Sequence, residues 1–224
     1  METARQALEI DAAGLDYKQL NSLLRQMVDG ANPATRIVLR NVCGQRYLGT
    51  DLVAPVELEV HGTPGNDLAA FMNGQRVVVY GNVQDGCGNT MNDGEVVVHG
   101  HAGDIAGLSM RGGRIFIRDG VGYRVGIHMK EYLDKVPVLV VGGTAQDFLG
   151  EYMAGGRIVI LGLDLADEDY HSANFVGTGM HNGAIYIRGR VHEHRLGKEV
   201  GVIHSADNAW AEEDWAFLRG CVTD

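Results

Sequence analysis

Residues 88–100 read GNTMNDGEVVVHG, and 19 positions later residues 107–119 read GLSMRGGRIFIRD. Residues 67–81 read DLAAFMNGQRVVVYG, with Met72 nineteen positions before Met91. Counting from the methionine as zero, position +5 is Val77, Val96, Ile115, Ile158 and Ile185, and position +7 is Val79, Val98, Ile117, Ile160 and Ile187. Position +4 is mostly charged, with Arg76, Glu95, Arg114 and Arg157. A charged residue beside alternating β-branched residues is a short strand with one face buried. Glycine follows at +9 in most copies, as Gly81, Gly100, Gly162 and Gly189, and precedes the strand at +3 as Gly94, Gly113, Gly156 and Gly183. These glycines are expected to shape the turns of the repeat.

Weaker copies extend the series to Leu58 and Val60, to Ile37 and Leu39, and to Val138 and Val140. Rungs then start at 37, 58, 77, 96, 115, 138, 158 and 185. Self-similarity at a nearly fixed spacing is the mark of a solenoid. Nineteen residues leave no room for a strand and a full helix, and the leucine-rich framework is absent. The expected fold is all-β: a right-handed parallel β-helix of about eight coils, each supplying two or three short strands. Side chains at +5 and +7 would stack on their own kind, with methionine filling the next corner.

The ends differ from the repeat. DYKQLNSLLRQMVD, 16–29, carries apolar side chains at helical spacing behind Asp16 as N-cap and Gln19 three residues on, with Gly30 as terminator. It is expected to plug one end of the column. SADNAWAEEDWAFLRG, 205–220, reads as an acidic helix displaying Trp210 and Trp215, either capping the far end or docking on a partner. The organisation is thus a helical cap over 1–34, the β-helix over 35–191 and a C-terminal tail over 192–224.

Composition narrows the function. There are 32 glycines and 4 prolines, and the net charge is −10. No basic cluster marks a nucleic-acid footprint, and no apolar run is long enough for a membrane span. The N-terminus lacks a basic region followed by an apolar one, so a cytoplasmic location is expected. Cys43, Cys87 and Cys221 form no CxxC pair, so the thiols of this chain build neither a zinc site nor an iron–sulfur cluster. GCGNTMNDG and GTGMHNG contain glycine-rich strings, but a strand follows each rather than the helix a phosphate loop needs. His99 and His101 lack a third ligand, and the carboxylates of 164–175 do not match a calcium loop. No catalytic, cofactor-binding or metal-binding residue is therefore expected in this chain. The insertion GYRVGIHMKEYLDKVP, 122–137, gathers Tyr123, Arg124, His128, Lys130, Glu131 and Tyr132, which with Trp210 and Trp215 are the candidate partner contacts.

GQRYLGTDL (44–52), GNVQDGCGNTMNDGEVVVHG (81–100), GYRVGIHMKEY (122–132) and GGTAQDFLGEYMAGGRIVIL (142–161) together resemble the C-terminal GXGXG domain of the glutamate synthase large subunit. The resemblance runs from about Ile10 to Arg190. It implies a β-helix that contributes no known catalytic residue and lies against amidotransferase and FMN-binding domains. The sequence lacks that enzyme's nucleophilic N-terminal cysteine and its cysteine cluster. It is thus similar to the separate GXGXG subunit of split glutamate synthases and N-methylglutamate synthase-type complexes, and also to the β-helix subunit of formylmethanofuran dehydrogenases. The resemblance implies a non-catalytic scaffold with a glutamine amidotransferase subunit and an FMN-dependent synthase subunit as partners, those partners carrying the FMN and iron–sulfur clusters. Membership of a formylmethanofuran dehydrogenase-like complex, or a free-standing homo-oligomer, is the alternative.

Overall fold

The computed structural model describes residues 7–29, 35–201 and 212–223. Among the described residues nine strands form one all-parallel sheet in chain order: β1 (Ala7–Asp11), β2 (Arg36–Cys43), β3 (Glu57–Thr63), β4 (Asn73–Tyr80), β5 (Asp93–Val98), β6 (Arg114–Ile117), β7 (Val138–Val141), β8 (Ala154–Ile160) and β9 (Asn182–Ile187). The chain is a β-solenoid of about six turns, fewer than the eight coils expected. A strand forms at every expected rung, and the 164–175 loop stretches the last interval. β1 is an addition to the helix and cap expected over residues 1–34. It pairs with β2 although helix α1 (Tyr17–Val28) intervenes.

Stacking follows the repeat. Ile37, Leu58, Val77, Val96, Ile115, Leu139 and Ile158 lie in register, and each is 0 % exposed. Burying one such side chain contributes about 1.5–3 kcal/mol. Met72, Met91, Met110, Met129 and Met153 fill the adjoining corner, buried throughout. In several coils the methyl sits under the glycine that opens the next strand. A Cβ on Gly94 would stand 3.0 Å from Met72 Cε, one on Gly156 3.0 Å from Met129 Cε, and one on Gly183 2.6 Å from Met153 Cε. The missing Cβ is the space that the thioether occupies, which is why methionine and glycine recur together.

One rung departs from the expected phase. Leu139 and Val141, not Val138 and Val140, pair with Ile115 and Ile117 and face the core. Because strand side chains alternate, a slip of one residue exchanges the faces. Val138 and Val140 instead belong to a second apolar cluster with Val159 and Tyr186 on the outer face. That cluster is covered by α2 (Glu212–Thr223), whose Phe217, Leu218 and Cys221 pack against it. The C-terminal helix therefore lies along the outside of the sheet rather than over the far end of the column. Tyr186 Oη donates to Asp214 Oδ1 at 2.5 Å, and the Arg157 guanidinium sits 4.4 Å from the Phe217 ring centroid. Desolvation, then the hydrogen bond to Asp214, pushes the Tyr186 phenol up to about 12.

At the N-terminal end, α1 places Leu20, Leu24 and Val28 in the main core. Asp16 caps it, accepting from the Lys18 and Gln19 amides, while Gln19 returns the bond to the Asp16 N–H. Gly30, the expected terminator, lies outside the described residues, and the C-cap is Asp29. Beyond the strands, each coil contributes less sheet than expected. The second face is a line of single bridges, Val83 to Ala102 to Val121.

Candidate partner-binding face

Between that line of bridges and the next strand, each coil turns through a corner in which alternate residues have positive φ. Arg124, Gly126 and His128 are one set (57°, 70°, 54°); Phe148, Gly150 and Tyr152 are the next (65°, 67°, 53°). The alternation sends successive N–H groups up and down the column. Arg124 N donates to Asp147 O at 3.0 Å and His128 N to Glu151 O at 3.0 Å, while Gly126 N donates back to Ala106 O at 2.8 Å. The corner is thus a second hydrogen-bonded ladder, and its backbone groups need no water. The central residue must be small, since a Cβ on Gly150 would stand 2.6 Å from Ile185 Cδ1. The flanking side chains point outward and stack from coil to coil.

Most of the expected contact residues sit on or beside this corner. Tyr123 is 48 % exposed. Arg124 donates from Nη1 to Glu151 Oε2 at 2.7 Å and lies 4.8 Å from the Phe148 centroid. His128 stacks on Tyr152, centroids 5.3 Å apart and planes within 10°. Lys130 is exposed. Glu131 Oε1 accepts from Gly156 N at 3.1 Å. Tyr132 exchanges backbone hydrogen bonds with Lys135 (3.1 and 3.0 Å) in a hairpin that displays Leu133, 86 % exposed. The ammonium of Lys135 pins this hairpin to Asp93 Oδ2 at 2.7 Å, and that bond holds the Asp93 carboxyl below its ordinary range. Trp215 is 45 % exposed on α2, on the outer sheet face rather than with this group. Trp210 lies outside the described residues.

Sequence reasoning missed Phe148, Tyr152 and Phe175. Phe148 stacks on Phe175 at 4.9 Å and 13°, continuing the row that Arg124 begins. A signal exists, since Phe148 and Tyr152 flank a central glycine as Arg124 and His128 do, but insertions move them off the regular spacing.

The turn glycines divide into two kinds. Gly94, Gly113, Gly156, Gly162, Gly183 and Gly189 have positive φ. Gly81 and Gly100 do not, which corrects the expectation that turn angles explain them. A Cβ on either would collide with a backbone carbonyl of the preceding coil, that of Gly62 or of Gly81. The outward face of the strands carries a charge ladder in register, Arg36, Glu57, Arg76, Glu95 and Arg114. Arg76 bonds Glu57 at 3.3 Å and Glu95 at 2.8 Å. Beside it His61, Tyr80 and His99 stack at 5.0 and 4.9 Å. In the 164–175 loop, Asp164 accepts from Thr144 Oγ1 at 3.0 Å and Glu168 pairs with Arg190 at 2.7 Å. Burial pushes the Cys87 thiol up to about 12, which suppresses its nucleophilicity. Among the described residues no group of three or more His, Cys, Asp or Glu is placed to hold a metal ion, and no helix is long and apolar enough to cross a membrane.

Comparison with known proteins finds a relative and a family. An uncharacterized protein of Methanocaldococcus jannaschii is 49 % identical over 213 residues, covering 94 % of this chain and 80 % of the relative. No solved structure matches the chain. The family defined by the GXGXG motif matches residues 18–224, a span that holds every corner glycine described above. The chain belongs to the GXGXG motif family.

Proposed function

We propose that the chain is a non-catalytic scaffold subunit of a glutamate synthase-type complex, in which glutamine-derived nitrogen is transferred to 2-oxoglutarate or a related acceptor. It would hold a glutamine amidotransferase subunit and an FMN-dependent synthase subunit in register, those partners carrying the FMN and iron–sulfur clusters. The observation that carries this reading is the GXGXG motif match over residues 18–224, because domains of this kind accompany those two activities in glutamate synthases. The packing supports it. Successive coils fill the column with stacked Ile, Leu, Val and Met, leaving a rigid rod whose features lie on its surface. A rod of that kind can fix two active sites at one separation, which favours transfer of an intermediate between them.

The test is reconstitution. Co-expressed with the amidotransferase and synthase subunits, the chain is expected to copurify with both and to raise glutamine-dependent product formation over the two alone. Purified alone, it is expected to show no flavin absorbance and no glutaminase activity. A flavin spectrum from the isolated chain would overturn the proposal, as would full glutamine-dependent activity without it.

A further inference from the structure

We propose that the corner face of the later coils, centred on Arg124, Phe148 and Phe175, is where a protein partner seats, and that the partner sets a carboxylate on Arg124 beside an apolar side chain. The proposal deepens the scaffold reading and rests on it.

The first argument is a change of side chains along equivalent positions. In the first two coils the outward corner positions are Tyr47 and Asp51, then Asp67 and Phe71, and in the middle two they are Gly86 and Thr90, then Ile105 and Ser109. In the next three coils they become Arg124 and His128, Phe148 and Tyr152, then Phe175 and Gly179, and among the described residues only here do rings at these positions stack from one coil to the next. The backbone conformation is the same, so nothing in the fold demands rings here. Phe175 is 53 % exposed and Tyr152 47 %.

The second argument is preorganisation. Phe148 lies on Phe175, His128 on Tyr152 and Arg124 on Phe148, so each ring is held by its neighbour in an adjacent coil. Little rotamer freedom remains to be lost on binding. Aromatic residues and arginine are the side chains that dominate protein interfaces. The ladder already pairs the backbone, with Phe148 N on Asn174 O and Tyr152 N on Thr178 O, both at 2.8 Å. The corner therefore offers no strand edge, and recognition there is through side chains.

Charge selects the occupant. The chain carries −10 overall, yet Arg124 and Lys130 flank this corner, and the Lys130 N–H on Met110 O sets Lys130 one coil from Arg111. Of the nearby acids, Glu151 is buried beneath Arg124, while the exposed Glu131 and Asp104 are engaged by the Gly156 and Tyr123 amides. Among the described residues neither Arg111 nor Lys130 makes an ion pair. Arg124 uses Nη1 on Glu151, leaving its other donors to grip a carboxylate through two parallel bonds. A row of projecting rings is the convex counterpart of the concave pocket that a small ligand needs. The net charge disfavours a polyanion.

The experiment uses the intact chain with the amidotransferase and synthase subunits named above, affinities being read by biolayer interferometry. Phe175→Ala should weaken binding of at least one subunit about tenfold or more, as expected for a central aromatic anchor. Arg124→Lys keeps the charge over Glu151 but loses the fork, and should weaken the same subunit. Arg76→Ala, on the outer sheet face, should leave both affinities within about twofold, and thermal melts establish that each variant is folded. If both subunits bind while Phe175→Ala and Arg124→Lys change nothing, the face is wrong and the scaffold reading stands. If neither subunit binds the wild-type chain, both fall. A self-dimer abolished by Phe175→Ala would instead make a second copy the occupant and overturn the proposal.

Discussion

The terminal methyl of Met91 lies beneath Gly113, 2.6 Å from where a Cβ on that glycine would stand. The two residues occupy successive coils, and each explains the other's presence in the repeat. Glycine also meets a backbone requirement there, with φ at 79°. Gly113→Ala therefore combines a conformational cost of about 1 kcal/mol with a clash in a packed core that adds about 1–3 kcal/mol. Gly74 separates the two effects, because its φ is 106° but a Cβ there meets nothing within 4 Å. Urea unfolding of Gly74→Ala and Gly113→Ala should show the second losing clearly more stability than the first.

Met110 is buried in the same corner column, 0 % exposed. Met110→Ala removes a core side chain and leaves a cavity, at a cost of about 2–5 kcal/mol. Met110→Leu preserves volume and should cost less than about 1.5 kcal/mol. Equal losses for the two in chemical denaturation would mean that the column does not depend on close packing.

The outward charge ladder is expected to contribute far less. Arg76 bridges Glu57 and Glu95, but its side chain is 46 % exposed, so water and salt screen the attraction. Arg76→Ala should cost below about 1 kcal/mol, and the loss should shrink at a salt concentration of about 1 M. A larger, salt-independent loss would show that the stem packs on the sheet and matters more than the charge.

The Tyr186–Asp214 contact makes docking of α2 sensitive to alkaline pH. The Tyr186 phenol is raised from 10.0 to about 12, so the folded state holds its proton more tightly than the unfolded one. The stabilisation is fully present below about pH 10 and is lost as pH rises towards about 12. Fluorescence of Trp215 on α2, followed through that window, should report release of the helix. Tyr186→Phe should remove the component of the transition that belongs to this phenol.

Thiol labelling offers a direct check on the core. Cys43 is exposed, whereas Cys87 is 0 % exposed with its thiol pushed to about 12. At neutral pH a thiol reagent should modify Cys43 quickly and Cys87 only after unfolding. Rapid modification of Cys87 in the native chain would place it outside the column.

Where the outside of a strand is wetted, alternation exposes the fold in the sequence. RVVV, EVVV and RIFI each show the charged residue that sets the phase. VLVV at 138–141 does not, because α2 covers its outer face and all four side chains are buried. The same covering places Phe116, Val140, Val159 and Tyr186 on outward positions, an excess of apolar residues that signals an overlying helix. Tyr123, Arg124 and His128 can be picked out because they fall within a visible insertion. Phe148 and Phe175 reach the same face only after loops of different length, so spacing alone does not align them. Ala7–Asp11 is a single rung separated from its neighbour by a helix, and no adjacent copy marks it as a strand.

Each strand of the sheet pairs only with the strands before and after it in the chain. Damage should consequently spread no farther than a neighbouring coil, and fraying should begin at whichever tip is the less firmly covered. A lengthened loop, such as 122–137 or 164–175, can then arise without disturbing distant rungs. This lets evolution remodel one stretch of surface while the rest of the rod keeps its dimensions.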